Sequence, residues 1–295
     1  MFRKNRRYFY RFNRRIKKML LVKENLENEL RDSIVSQISY SMALEHDTGI
    51  SDEVRVHELR KAVKRSRALL RLLKPAIDEE SFYTIDEILG NSARSIAEQR
   101  EATVNLRTFI NMSCNASGYL PLELRNYILE TLTKKIDLIY NQSLHNFPHQ
   151  LHTSLLYLKR VKSKIETTSL HSINDKDLSA LISKTYQKTA RLYNDARYSL
   201  DTEIIHKWRR FNKHLLFQLK LSPLQTNKNT SNIIVMLEKL SDMLGDEHDL
   251  AIMENYLREN FELSKEDQQH IHLCVSKERS RLQKEAFKLG AKLYG

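Results

Sequence analysis

Residues 56–75 read VHELRKAVKRSRALLRLLKP, and their spacing decides the fold. Leu59, Val63, Leu70 and Leu73 recur at three- and four-residue intervals, the period of an α-helix. Pro75 marks the end of that helix, because proline disfavours helix in the residue before it. At 100° per residue, Arg60, Lys64, Arg67, Arg71 and Lys74 share an arc of about 80°, with His57 at its edge. The apolar residues occupy a separate arc. Like charges three and four residues apart destabilise a helix by ~0.2–0.5 kcal/mol per pair. A sequence shaped for stability alone would interleave acids, so the stripe points to an anionic partner.

Residues 205–223, IHKWRRFNKHLLFQLKLSP, repeat the layout. His57 pairs with His206, Arg60 with Arg209, Lys61 with Arg210, Lys64 with Lys213 and Arg71 with Lys220. Trp208, Phe211, Leu215 and Leu219 form the apolar arc of this second helix. Downstream, Ala97-Glu98-Gln99-Arg100-Glu101 aligns with Gly245-Asp246-Glu247-His248-Asp249, 43 and 42 residues after the respective histidines. This predicts two related helical halves, 21–170 and 171–295, behind a basic and aromatic segment at 1–20. Helical periodicity is found at 22–46, 52–74, 79–111, 121–145, 149–167, 176–200, 202–221, 230–259 and 264–292. Ser51 and Ser264 are expected N-caps, the latter with Asp267 completing a capping box. The 295 residues include only 6 Gly and 4 Pro, too few for the turns of an all-β protein. An all-α fold follows.

The net charge is +12, but residues 1–20 hold nine cations and no acid, leaving 40 basic against 37 acidic residues in the body. Positive charge in the body must therefore be segregated onto faces. Two further stripes fit that pattern: Lys277, Arg281, Lys284 and Lys288 near the C-terminus, and Lys184, Lys188 and Arg191. Parallel cationic stripes on packed helices make a trough for a linear polyanion, with Arg forking two phosphate oxygens and Lys supplying a point charge. The leading segment mixes its cations with Phe2, Tyr8, Phe9, Tyr10 and Phe12. It reads as a frayed basic tail, an added polyanion contact, an RNA-stacking arm or an attachment to an anionic membrane surface.

Other chemistries find less support. No apolar run approaches the ~20 residues of a membrane span, and Met19 to Val22 is too short for a secretory h-region. Cys114 and Cys274 read as reduced, cytosolic thiols. There is no Gly-rich phosphate loop and no zinc-type cysteine pair. His248-Asp249 with His206 resembles a divalent-metal set, but the repeat places Arg100 and Glu101 at the equivalent positions, and arginine does not ligate metals. His145, His149 and His152 have ligand-like spacing, yet Pro148 is expected to interrupt any shared helix. No metal or cofactor and no catalytic constellation is expected.

With these residues in place, the sequence resembles the CHAD family, the conserved histidine α-helical domain, over about 22–295. The resemblance rests on His57-Glu58-Leu59-Arg60 with Lys64-Arg65-Ser66-Arg67, and on His206-Lys207-Trp208-Arg209 with Lys213-His214. Leu244-Gly245-Asp246-Glu247-His248-Asp249-Leu250 and the closing helix with Arg279, Arg281, Lys284 and Gly290 add to it. The resemblance implies two four-helix bundles related by a pseudo-twofold axis and a basic surface that binds inorganic polyphosphate. It also implies association with polyphosphate granules in the cytoplasm and no catalytic activity of the domain itself. The chain departs from the family where Leu216 and Leu219 replace polar or basic residues, and where Arg100-Glu101 and His248-Asp249 replace Arg-Asp, so the second stripe is expected to bind more weakly. Glu27-Asn28-Glu29 only mimics the Glu-x-Glu of an associated triphosphatase, because it lies in a helical pattern. The alternatives are a nucleic-acid-binding helical protein and a metal-dependent phosphohydrolase.

Overall fold

A computed structural model describes residues 25–47, 49–115, 120–221 and 228–295; within these, the side chains of 46, 98–102, 115, 139–148 and 228–229 are left out of the description. The segment 1–20 and the expected stop at Ser222-Pro223 lie outside the described residues. Nine α-helices are present among the described residues: α1 (Leu26–Ala43), α2 (Asp52–Leu73), α3 (Glu79–Ser95), α4 (Glu98–Asn115), α5 (Leu122–Thr167), α6 (Asp175–Ser199), α7 (Thr202–Leu221), α8 (Lys228–Asn260) and α9 (Lys265–Tyr294). The expected all-α fold is what the structure shows.

The starts obey local chemistry. The Ser51 hydroxyl accepts the Val54 N–H at 3.4 Å. Ser264 and Asp267 form a reciprocal capping box, with bonds of 3.0 and 3.2 Å. Asn174 and Asp177 form a second box that the sequence reading did not anticipate. Each box satisfies backbone N–H groups that the first helical turn leaves without partners. α6 stops at Leu200, which adopts the left-handed conformation with φ 53°.

Two boundaries differ from expectation. The helix predicted over 79–111 is broken at Ile96, whose side chain is fully buried in the main core. The break lets α3 pack on α2 and α5 while α4 turns toward α8. Apolar periodicity misses it, because both arms keep an apolar stripe. Conversely, the helices predicted over 121–145 and 149–167 are one 46-residue helix that runs through Pro148. Leu124, Ile128 and Leu132 bury one end of α5, and Leu155, Leu158, Val161 and Ile165 bury the other. Anchoring at both ends offsets the roughly 3 kcal/mol that an internal proline costs a helix. The expected separation of His145, His149 and His152 by Pro148 is therefore corrected: all three lie on α5.

Packing follows a regular order. α1 lies on α2 and α5, α2 on α3, and α3 on α5; then α6 lies on α7, α7 on α8, α8 on α9, and α9 on α6. The two groups meet where α2 packs on α7. The connection at 168–174 is tied down by the His171 N–H on the Ala76 carbonyl at 2.7 Å and the Ile173 N–H on Glu27 Oε2 at 3.1 Å. Glu27 is thus structural. The main core draws residues from both groups, from Leu26 to Tyr294. A second core, around Phe109, Ile128, Met253 and Val275, is built by α4 and the start of α5 with the end of α8 and the start of α9.

An aromatic cluster closes the second group. The Trp208 ring stacks on Phe287 with centroids 5.5 Å apart, and Tyr193 lies 5.4 Å from Trp208 and 5.8 Å from Tyr294. The Tyr294 hydroxyl donates to Asn212 Oδ1 at 2.9 Å, and Asn212 Nδ2 donates to the Leu237 carbonyl and to Ser241 Oγ. Gly290 makes room for these rings: a Cβ there would sit 2.7 Å from two Tyr193 ring carbons and 3.0 Å from Trp208 Cζ2. Gly290→Ala should therefore cost about 1–3 kcal/mol through overpacking, seen as a lower urea midpoint with helical circular dichroism retained.

Candidate functional site

The two stripes predicted from sequence lie on α2 and α7, which pack against each other where the two groups meet. α2 is more enclosed than a single apolar arc implies. Besides Leu59, Val63, Leu70 and Leu73, it buries Val56, Ala62, Ser66, Ala68, Leu69 and Leu72. Its cations are correspondingly half-buried: Arg60, Lys61, Lys64, Arg65, Arg67 and Arg71 are neither covered nor fully in solvent. Only His57 and Lys74 among the stripe positions are exposed. Neighbouring elements hold several of the heads. Arg60 Nη1 donates to the Ala93 carbonyl at 3.0 Å, Arg65 Nη1 to Gln37 Oε1 at 3.1 Å and Lys61 Nζ to Glu58 at 3.1 Å.

On α7, His206, Arg209, Lys213 and His214 are half-buried, while Arg210 and Lys220 are exposed. Lys220 pairs with Glu238 on α8. His206 Nδ1 lies 3.2 Å from His248 Nδ1, with ring centroids 4.3 Å apart. One neutral ring must donate and the other accept. Burial, then the Arg209 charge, push the His206 imidazole below its ordinary value, although Glu203 pulls the other way. His206 thus makes a hydrogen bond to a neighbouring helix, and the two histidines singled out as a metal-like pair are in contact. Among the described residues no three His, Cys, Asp or Glu side chains gather in a way that could hold a metal ion.

Where α2, α3 and α7 converge, five charged or titratable groups gather. Arg67 forks the carboxylate of Asp86 on α3, with Nε–Oδ1 2.7 Å and Nη2–Oδ2 2.6 Å. Arg71 Nη1 donates to the Arg67 carbonyl at 2.7 Å, and its Nη2 is 3.9 Å from Asp86 Oδ1. Burial acts to raise the Asp86 carboxyl, but the hydrogen bonds and charge of Arg67, with Arg71, outweigh it and hold it below its ordinary value. Arg71 is lowered, first by burial; Asp86 opposes that, and Arg67 and Arg210 add to it. His214, from the second group, is pushed down to about 3 by burial and by Arg71, Arg210 and Arg67. Two guanidinium groups therefore share one carboxylate, with a third, Arg210, and a neutral imidazole beside them. Local positive charge is in excess in a half-buried place, which is a setting for an external anion.

The remaining stripes differ in kind. Lys184, Lys188 and Arg191 on α6 and Lys277, Arg281, Lys284 and Lys288 on α9 are exposed. Arg281 is held by both oxygens of Glu278 and by Glu285, which raise its pKa. The sequence reading missed Asp86, His214 as a member of this cluster, and Glu247. Glu247 is fully buried and accepts from Arg279 Nε and Nη2 at 2.9 and 2.7 Å and from Gln283 at 2.9 Å. Breaking such a buried pair typically costs ~3–5 kcal/mol, so its place is in stability. Asp86 carries no signal in the sequence beyond being an acid 19 residues after Arg67. Cys114 and Cys274 are both free thiols.

The model of the CHAD domain family matches residues 39–258, and the chain belongs to that family. The matched span is narrower than the resemblance suggested and leaves out α9. Among solved structures the chain is similar to PptA from Streptomyces chartreusis, with TM-score 0.66, 14% identity, and 90% of this chain and 98% of that one covered. It is also similar to the CHAD domain from the plant Ricinus communis, with TM-score 0.57, 15% identity, and 88% and 86% covered. No curated protein matches the chain significantly in sequence. At these identities the structures speak for the fold. Among the described residues no helix is long and apolar enough to cross a membrane.

The depressed His214 gives a sign to the pH dependence of stability. Its folded value of about 3 lies below the ~6.5 of an unfolded chain, so as pH falls the unfolded state takes up the proton first. Stability is present above about 6.5 and is lost progressively toward 3. Between pH 7 and 5.5 the loss should be about 1 kcal/mol, allowing for solvent screening, and urea titrations of His214→Gln should show a shallower decline.

Proposed function

We propose that the chain binds inorganic polyphosphate, laid as a linear polyanion along the cationic faces of α2 and α7. Family membership ties the protein to polyphosphate-related function, and one observation supports the site: two helices bearing matched cationic stripes pack together, and their convergence at Arg71 and Arg210 leaves positive charge in excess. Polyphosphate offers phosphoryl oxygens at short regular spacing and no bases, so it needs cations and no stacking surface. Arg60, Lys64, Arg71, Arg209, Arg210 and Lys213 are the proposed principal contacts. His57, Lys61, Arg65 and Arg67 border them, as do His206 and Lys220. The exposed cations of α6 and α9 are proposed as auxiliary contacts, weakest at Arg281, where Glu278 and Glu285 already take the guanidinium. The reading is of a binding module with no catalytic role for these residues, placed at polyphosphate granules in the cytoplasm.

The physical mechanism is multivalent charge neutralisation with release of counterions. Arg60→Gln, Lys64→Gln and Arg71→Gln combined should weaken long-chain polyphosphate binding at least tenfold at ~0.15 M salt while helicity is retained, because none of the three heads fills the apolar core. A folded triple variant with wild-type affinity would reduce the stripe to a solvated face. Calorimetric titrations across a salt series should give a steep fall of log affinity with log salt, shallower by about 2 in the triple variant. RNA of matched total charge, titrated in parallel, should bind more weakly; equal or tighter RNA binding would favour a nucleic-acid partner.

A further inference from the structure

The Arg67–Asp86 pair is not simply another surface ion pair. The side chains are 35% and 22% exposed, the fork is two-pronged, and it stands among Arg71 of α2 and Arg210 and His214 of α7. A carboxylate forked by a guanidinium presents the geometry with which that guanidinium would grip a phosphate. We propose that Asp86 is a built-in competitor for the phosphoryl group: it occupies Arg67, repels phosphate from Arg71 and Arg210, and so sets the affinity of the seam below what its cations would give. The inference rests on the polyanion reading of the preceding section and adds a residue that no stripe contains. Asp86 is then an affinity-setting residue, and Arg67 is a cation held in reserve by it.

The alternative role for Asp86 is to orient Arg67 for a direct phosphate contact. The two roles predict opposite signs. If Asp86 competes, Asp86→Asn frees Arg67 and removes one negative charge without changing shape. Affinity for long-chain polyphosphate at ~0.15 M salt should rise about tenfold, and the slope of log affinity against log salt should steepen by about 0.7–0.9, one extra phosphate contact. If Asp86 orients Arg67, the same variant should bind more weakly.

The experiment is a titration of the full chain and two variants, each checked for helicity, with two probes: long-chain polyphosphate and single-stranded RNA of matched charge. The second variant, Arg67→Gln with Asp86→Asn, removes both partners of the fork and leaves the net charge unchanged; Arg71 loses the Asp86 charge but keeps its bond to the backbone carbonyl of residue 67, so this variant should fold even where the single variant does not. Competition predicts that it binds within threefold of wild type, since the pair as a unit contributes no net contact. Orientation predicts a loss of tenfold or more. A gain in Asp86→Asn upholds the inference with either probe, and near wild-type binding by the double variant upholds it where the single variant does not fold. A folded single variant with unchanged or weaker binding overturns it, as does a tenfold loss in the double variant. A wild-type preference for RNA would overturn the polyphosphate reading alone, because the gain in Asp86→Asn would then be read on RNA.

Discussion

The packing of α2 against α7 is the constraint on which the rest of the structure depends. Each helix carries cations on an arc that cannot be turned fully to solvent, because its other sides are enclosed. Bringing the two together sets Arg67, Arg71 and Arg210 close to one another, against their mutual repulsion. What opposes that repulsion is burial. Leu69, Leu70, Leu72 and Leu73 on α2 and Trp208, Leu215 and Leu219 on α7 are almost entirely out of water, each worth about 1.5–3 kcal/mol. The core holds the cations in place, so an anion arriving there meets groups that have already given up much of their freedom and hydration.

Much of this was legible in the sequence, and the reasons differ by element. The helices could be read because apolar residues keep one spacing through each of them, and Ser51 and Ser264 could be read as caps because capping is local chemistry. The matched stripes could be read because five His, Arg or Lys positions keep the same offsets in α2 and α7, from His57 to Arg71 and from His206 to Lys220. The break at Ile96 could not, since burial of one side chain by distant helices decides it. Nor could the passage of α5 through Pro148, which local rules oppose and two separate cores enforce. Periodicity also placed α2 with one apolar face, whereas contact with α1, α3 and α7 covers it on several.

Acids were the least visible part of the site. A stripe is found by the cations it contains, and its counterions come from other helices at sequence distances that follow no period. Asp86 reaches Arg67 from α3, Glu238 reaches Lys220 from α8, and Glu247 reaches Arg279 from within the second group. Arg281 is the converse case: Glu278 and Glu285 are its own helical neighbours, and the stripe on α9 could have been discounted by counting acids at three- and four-residue spacing. Formal charge along one helix face therefore overstates the field that an approaching anion feels.

The second core has a consequence for how the chain comes apart. Its walls are α4 and the first turns of α5 from one half of the sequence, and the end of α8 and the first half of α9 from the other. α5, about 69 Å long at 1.5 Å per residue, threads from this core into the main one. A fragment cut near residue 170 would leave Phe109, Met112, Ile128 and Leu132 facing water, and its counterpart would leave Met253, Leu257 and Val275 in the same state. Neither piece has a complete hydrophobic interior. The two halves of the sequence thus share their interiors and should unfold together, and a severed chain should regain its shape only when both pieces are mixed.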